Sequence, residues 1–65
     1  MKLTLRQLRR LNEISQKKAA ELLGVSTDSI VRWERGETHP NALQIAEICR
    51  VYKTRFEDIE WNPPK

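Results

Sequence analysis

The sequence holds one cysteine, Cys49, among 65 residues. A lone thiol excludes an internal disulfide and any cysteine-rich metal site. Glycine occurs twice and proline three times, too little punctuation for a turn-rich β fold. Long apolar runs are missing. None exceeds three residues, so nothing here spans a bilayer as a helix, and the start, Met-Lys-Leu-Thr-Leu-Arg, lacks the apolar stretch of a secretory signal. The single histidine, His39, stands far from Cys49 in the chain, so no nucleophile–base pair is evident. Gly-rich phosphate loops, Cys/His metal spacings and inward carboxylate pairs are also missing. The sequence therefore predicts no enzyme, no catalytic residues, no cofactor and no metal. Repeats, internal linkers and low-complexity segments are absent too.

What is present is charge. Twelve Lys or Arg stand against nine Asp or Glu, a net +3, with a pI near 9.4. The 38% of apolar residues can close one small core, so residues 1–65 are read as a single domain. The charge is uneven. Residues 1–18 carry Lys2, Arg6, Arg9, Arg10, Lys17 and Lys18 against Glu13 alone, a balance of +5. The remainder carries six basic and eight acidic residues, a balance of −2. One side of the molecule is thus expected to meet an anion, in a cytoplasmic, nucleoid-associated setting.

Breaks at Asn12–Ser15, Gly24–Ser26, Gly36–Asn41, Lys53–Arg55 and Asn62–Pro64 delimit five short helical candidates. The first runs over Leu5–Asn12, with Thr4 and Gln7 at capping-box spacing and Leu5, Leu8 and Leu11 as the buried stripe. The second covers Gln16–Leu23, capped by Ser15, with Ala19, Ala20 and Leu23 on one face. The third covers Thr27–Arg35, capped by Ser26. The fourth covers Ala42–Lys53; Pro40 and Asn41 suit its start, and Ile45, Ile48, Cys49 and Tyr52 form its stripe. A final turn at Phe56–Ile59 would be capped by Thr54, with Glu57 three residues on. Trp61 is expected to fold back as a lid, within a short tail over 60–65 whose Asn-Pro-Pro cannot continue a helix.

The specific segment is Gln16–Arg35. Two helices of about eight residues, separated by Gly24-Val25-Ser26, must cross steeply and closely. Ala20 provides the small residue at the crossing and Gly24 the positive φ of the turn. Leu23, Val25, Ile30 and Trp33 then close the core beneath it. At about 100° per residue, Ile30 and Trp33 fall on one side of the third helix with Ser29 beside them. Thr27, Asp28, Val31, Arg32 and Arg35 fall on the other. That outward face suits base edges: Arg pairs bidentately with guanine, Asp accepts from the cytosine amino group, and Val or the Thr methyl touches a thymine methyl.

The run Ile14-Ser15-Gln16-Lys17-Lys18-Ala19-Ala20-Glu21-Leu22-Leu23-Gly24-Val25-Ser26, with Ile30, Trp33-Glu34-Arg35-Gly36 and Pro40, resembles the phage repressor/Cro-type, XRE-like helix-turn-helix family. The likeness extends over about Leu5 to Ile59 and includes Tyr52-Lys53-Thr54-Arg55-Phe56-Glu57-Asp58-Ile59. The resemblance implies an all-α, compact five-helix bundle, a lambda-repressor-like DNA-binding domain with its helix-turn-helix over 16–35. It implies base reading by Thr27, Asp28 and Arg32, with Val31 beside them. Gln16 would hold a phosphate with its side chain and the helix N-terminus, and Ser26, Ser29 and Arg35 would flank the phosphates. Lys17, and His39 in the loop after the third helix, are further candidate backbone contacts. Glu34 would pair with Arg9 and tie the third helix to the first. Cys49 falls where the family has a small residue at a close helix contact.

Two departures stand out. The family usually has Leu at the position of Ala19, so Leu22 or Trp33 is expected to fill the space. Asp28 stands where the family more often has an uncharged or basic residue; it either reads cytosine or is held by Arg32 one turn on.

The expected partner is double-stranded DNA, bound by a sequence-specific regulator acting as a repressor. No small-molecule ligand and no membrane are expected. A homodimer is expected, weak or formed only on DNA, because one module contacts few base pairs. Leu43, Val51, Trp61, the final helix and the Pro-Pro tail are the apolar surfaces available to it. The competing class is a small protein-binding module, antitoxin-like or anti-regulator, favoured by Asp28 on the outward face and by the acidic body.

Overall fold

The computed structural model describes residues 2–61. Four α-helices follow one another: α1 (Leu5–Leu11), α2 (Gln16–Leu23), α3 (Thr27–Arg35) and α4 (Ala42–Val51). Each begins on a side-chain cap that satisfies orphan backbone donors. Thr4 and Gln7 form a reciprocal capping box at α1, with the Gln7 N–H donating to Thr4 Oγ1 at 3.2 Å and the Thr4 N–H to Gln7 Oε1 at 2.9 Å. Asn41 and Gln44 repeat the arrangement at α4. Ser15 accepts from the Lys18 N–H and Ser26 from the Ser29 N–H.

The helices also end alike, each on a left-handed residue. Gly24 (φ 68) closes α2 and Gly36 (φ 76) closes α3. At each, the next residue's N–H reaches back across the turn, Val25 to Ala20 O at 3.0 Å and Glu37 to Arg32 O at 3.0 Å. A Cβ on Gly24 would meet nothing within 4 Å, so the backbone angle, and not crowding, calls for glycine there. Glu13 (φ 56) and Lys53 (φ 53) take the same conformation after α1 and α4, at a cost of about 1–2 kcal/mol each for a side-chain-bearing residue.

The five-helix expectation is corrected here. The segment after α4 forms one 3-10 turn, Phe56–Asp58, with no side-chain cap. Thr54 Oγ1 donates to the Arg55 carbonyl at 3.5 Å and does not cap the turn. Beyond it the chain extends as β2 (Ile59–Glu60), which pairs in parallel with β1 (Leu3–Thr4) in the register Leu3↔Ile59 and Thr4↔Glu60. Ile59 is drawn into the core at 1% exposure on an extended backbone paired with Leu3, where a helix was expected. Glu60, assigned to the tail from sequence, therefore belongs to the sheet; the Pro-Pro segment lies outside the described residues. Helix α4 likewise stops at Val51, two residues early, because Tyr52 and Lys53 form its cap and left-handed exit.

The core comprises Leu5, Leu8, Ala19, Ala20, Ile30, Trp33, Ile48, Tyr52 and Ile59. Ala19 and Ala20, at 0% and 4% exposure, leave only methyl groups at the crossing of α2 and α3, which lets the backbones approach closely. One stripe assignment and one packing expectation fail: Leu11 is 68% exposed, and Leu22, expected to fill the space beside Ala19, is 44% exposed. Trp33 is buried in that core. Cys49, Ile45 and Val51 are half-buried. Trp61 packs on the core with its indole N–H buried and without an acceptor among the described residues. Among the described residues, no helix is long and apolar enough to cross a membrane.

Tyr52 gives the fold a pH signature. Burial, reinforced by the Glu34 charge and opposed by Arg9, pushes its phenol up to about 12 from an ordinary 10. The unfolded chain releases this proton first, so the contribution is complete below about pH 10 and is lost as pH rises toward 12. Tyr52→Phe should remove that part of the alkaline decline, read as the urea midpoint between pH 9 and 11.5. An unchanged decline would assign it to other groups.

Candidate nucleic-acid interface

Helix α3 carries the face that sequence projection predicted. Ile30 and Trp33 are buried at 1% and 8% exposure. Thr27, Asp28, Arg32 and Arg35 are exposed, and Val31 and Ser29 are half-buried. The core anchors thus set which way the polar side chains point.

None of the charged groups on this face is bare. Arg32 Nε lies 2.9 Å from Asp28 Oδ2, one turn earlier. Of the two readings left open for Asp28, the free protein adopts the ion pair. Arg35 Nη1 lies 3.6 Å from Glu37 across the Gly36 turn. Sequence reading missed that pair, although the two-residue spacing around a left-handed glycine was a usable signal. Exposed pairs of this kind are worth about 0.2–1 kcal/mol, so a phosphate or base edge can displace the carboxylate at little cost. Ser26 and Ser29 hydroxyls lie 3.1 Å apart at the helix start.

Behind α3 lies the anchor. Arg9 is buried on α1 and extends its guanidinium to Glu34, with Nε–Oε2 at 2.6 Å and Nη2–Oε1 at 3.3 Å. Its Nη1 donates to the Ile14 carbonyl at 2.9 Å. The hydrogen bond to Glu34 raises the Arg9 pKa above its ordinary value, against desolvation, which lowers it. Gln16 Nε2 donates to Glu34 Oε1 at 3.2 Å. One carboxylate therefore joins the first residue of α2, the body of α1 and the end of α3. The Gln16 link was not foreseen from sequence, because it joins residues 18 apart and no local pattern encodes it.

Gln16 and Lys17 open α2. Ser15 takes the Lys18 N–H and its carbonyl takes the Ala19 N–H at 2.9 Å. The first two amides of the helix and its positive dipole end are left to face an anion. Lys17 is exposed. His39, also exposed, turns its ring onto Trp61 with centroids 4.6 Å apart, and its Nδ1 lies 3.1 Å from the Pro40 carbonyl oxygen. Packed in this way, His39 is held by the C-terminal segment.

Six cations hold a carboxylate: Arg9, Lys18, Arg32, Arg35, Arg50 and Arg55. Lys2, Arg6, Arg10, Lys17 and Lys53 have no such partner among the described residues.

The comparisons agree with this geometry. A helix-turn-helix family model matches residues 5–59. The chain is 31% identical to the HTH-type transcriptional regulator YgzD of Bacillus subtilis, over 94% of this chain and 92% of that one. It is 30% identical to an HTH-type transcriptional regulator of Archaeoglobus fulgidus, over 91% of this chain and 84% of the other. No solved structure gives a significant match. With the two-helix crossing, the Gly24 turn and the outward face of α3 in place, the chain belongs to the XRE family of helix-turn-helix proteins.

Proposed function

We propose that this protein is a DNA-binding transcriptional regulator that reads double-stranded DNA by placing α3 in the major groove, and that it represses by occupying its site. The observation that carries this reading is the division of α3. Ile30 and Trp33 are sunk in the core while Thr27, Asp28, Val31, Arg32 and Arg35 face outward. The names of the two relatives support regulation of transcription as the setting.

In this account Arg32 reads guanine, exchanging the Asp28 carboxylate it holds in the free protein for the base edge. Thr27 and Val31 supply apolar contact. Gln16, turned by Glu34, and the α2 amides fix the backbone position, with Lys17, Ser26, Ser29, Arg35 and His39 around them. Two copies pair on DNA, half-sites about one helical turn apart. Leu43 (81% exposed) and Phe56 (55% exposed) are among the apolar groups open to such pairing; Val51 is half-buried against the core. Asp28, one of the two features that favoured a protein-binding module, is paired with Arg32 in the free protein.

Arg32→Ala should cost about 1–3 kcal/mol on the preferred site and far less on random DNA. Asp28→Ala should do the reverse, tightening random DNA by removing a carboxylate from the phosphates and narrowing the ratio between sites. Fluorescence anisotropy on both DNAs at two salt concentrations checks this. Equal losses for Arg32→Ala on both DNAs would remove it from base reading.

A further inference from the structure

Helix α1 presents a surface that DNA reading does not use. The α1 wheel places Leu11 about 200° from Arg9, so it faces away from the Glu34 anchor and the DNA-reading motif. Leu11 borders two adjoining hollows. One, of about 410 Å³, has Leu3, Leu8 and Tyr52 in its walls and Lys53 and Asp58 at its rim. The other, of about 380 Å³, is formed by Leu3, Gln7, Arg10 and Leu11. Leu3 and Leu11 are common to both, so the hollows form one continuous groove along α1.

An exposed leucine alone says little. The charge around this one is informative. Of the five cations without a carboxylate partner among the described residues, Arg10 and Lys53 line the groove. Arg6 lies one turn before Arg10, and Lys2 immediately precedes Leu3. Only Lys17 belongs to the DNA-reading motif. The cations of α3 are each matched by a carboxylate, whereas those around this groove are not.

We propose that the groove docks an acidic amphipathic helix of a partner protein, its leucine-type side chains seated between Leu3 and Leu11 and its carboxylates on Arg10 and Lys53. The dimensions agree: α1 is about 10 Å long, the span of an i, i+3, i+7 apolar stripe on a docking helix. A phosphate backbone would satisfy the cations but leave the exposed Leu11 side chain without apolar cover. A partner with both an apolar stripe and carboxylates satisfies both. Asp58, at the Thr54 end, limits the acidic contact to the Arg10 and Lys53 part of the rim. Because the groove faces away from α3, the partner and DNA bind together.

The probe is a synthetic 16-residue peptide with Leu at i, i+3, i+4 and i+7 and Glu at its other exposed positions. It is titrated into the full chain without DNA, so the outcome is independent of the DNA-reading proposal. Amide chemical shifts should move at Leu3, Gln7, Leu11 and Lys53 and stay still over Thr27–Arg35. Leu11→Ser and Arg10→Glu should each weaken binding by roughly tenfold or more with an unchanged thermal midpoint, since both side chains are exposed. A peptide of the same composition in scrambled order should bind far less, and bound DNA should leave the affinity unchanged. The proposal is overturned if the scrambled peptide binds equally, if the shifts fall on α3, or if Leu11→Ser has no effect. It is also overturned if vesicles of anionic phospholipid bind with the same Leu11 dependence while the peptide does not, which would make this a membrane surface.

Discussion

Glu34→Ala should lower stability by about 3–5 kcal/mol. The Glu34 and Arg9 side chains are 6% and 11% exposed, and removing one partner of a buried pair leaves the other as an uncompensated charge. A chain of this length is stable by about 3–10 kcal/mol, so the substitution removes a large part of the total. About 4–8 °C of melting temperature goes with each kcal/mol in a domain this small, and circular dichroism will show the loss directly. Glu34→Gln keeps an acceptor for Arg9 and Gln16 and should cost less. Replacing Arg9 and Glu34 together by Met should recover much of the deficit, because an apolar pair leaves no charge buried. A loss below about 1 kcal/mol for Glu34→Ala would mean that the pair is solvated and does not anchor α3. The same carboxylate orients Gln16, and Gln16→Ala should weaken DNA binding by similar factors on preferred and random sites.

Trp33→Ala is the second large effect, about 3–5 kcal/mol from lost burial and the cavity left behind. Trp33 is 8% exposed and shares the core with Leu5, Ala19, Ile30 and Tyr52. Since it also sets the direction of α3, the substitution should abolish binding to every DNA. Arg32→Ala, on the exposed face, should leave the melting temperature nearly unchanged. This contrast would separate the two faces of one helix, with stability on the inward side and the proposed base reading on the outward side. A Trp33→Ala protein that melts within a few degrees of the parent would place the core elsewhere.

Sequence showed the Gln16–Gly36 region almost completely, because its signals are local. Ser15 and Ser26 are caps that act over three residues, Gly24 and Gly36 are left-handed stops, and Ile30 and Trp33 repeat at helical spacing. The chain ends read less well for an equally physical reason. Leu3 pairs with Ile59 through strands of two residues, too short to show alternation and far apart in sequence, and that pairing converts an expected fifth helix into a 3-10 turn and a strand. Leu11 sits at helical spacing from Leu8 yet is exposed, because α1 ends at Leu11 and no described segment covers that flank. At the interface, periodicity found the outward face of α3. The tie from Gln16 to Glu34, and the lack of a carboxylate partner for Arg10 and Lys53 among the described residues, needed the three-dimensional arrangement. The charge balance pointed to a basic N-terminal region, and its unpaired part gathers on α1, with Lys17 alone in the helix-turn-helix.

The central claim is that α3 reads bases, and in vitro selection of bound double-stranded DNA, run in parallel with the parent and Arg32→Ala proteins, tests it most directly. The account predicts enrichment of an inverted repeat with half-sites about 10 base pairs apart, and a guanine in each half that the Arg32→Ala selection no longer retains. No enrichment at low salt, or the same guanine selected by both proteins, would contradict it.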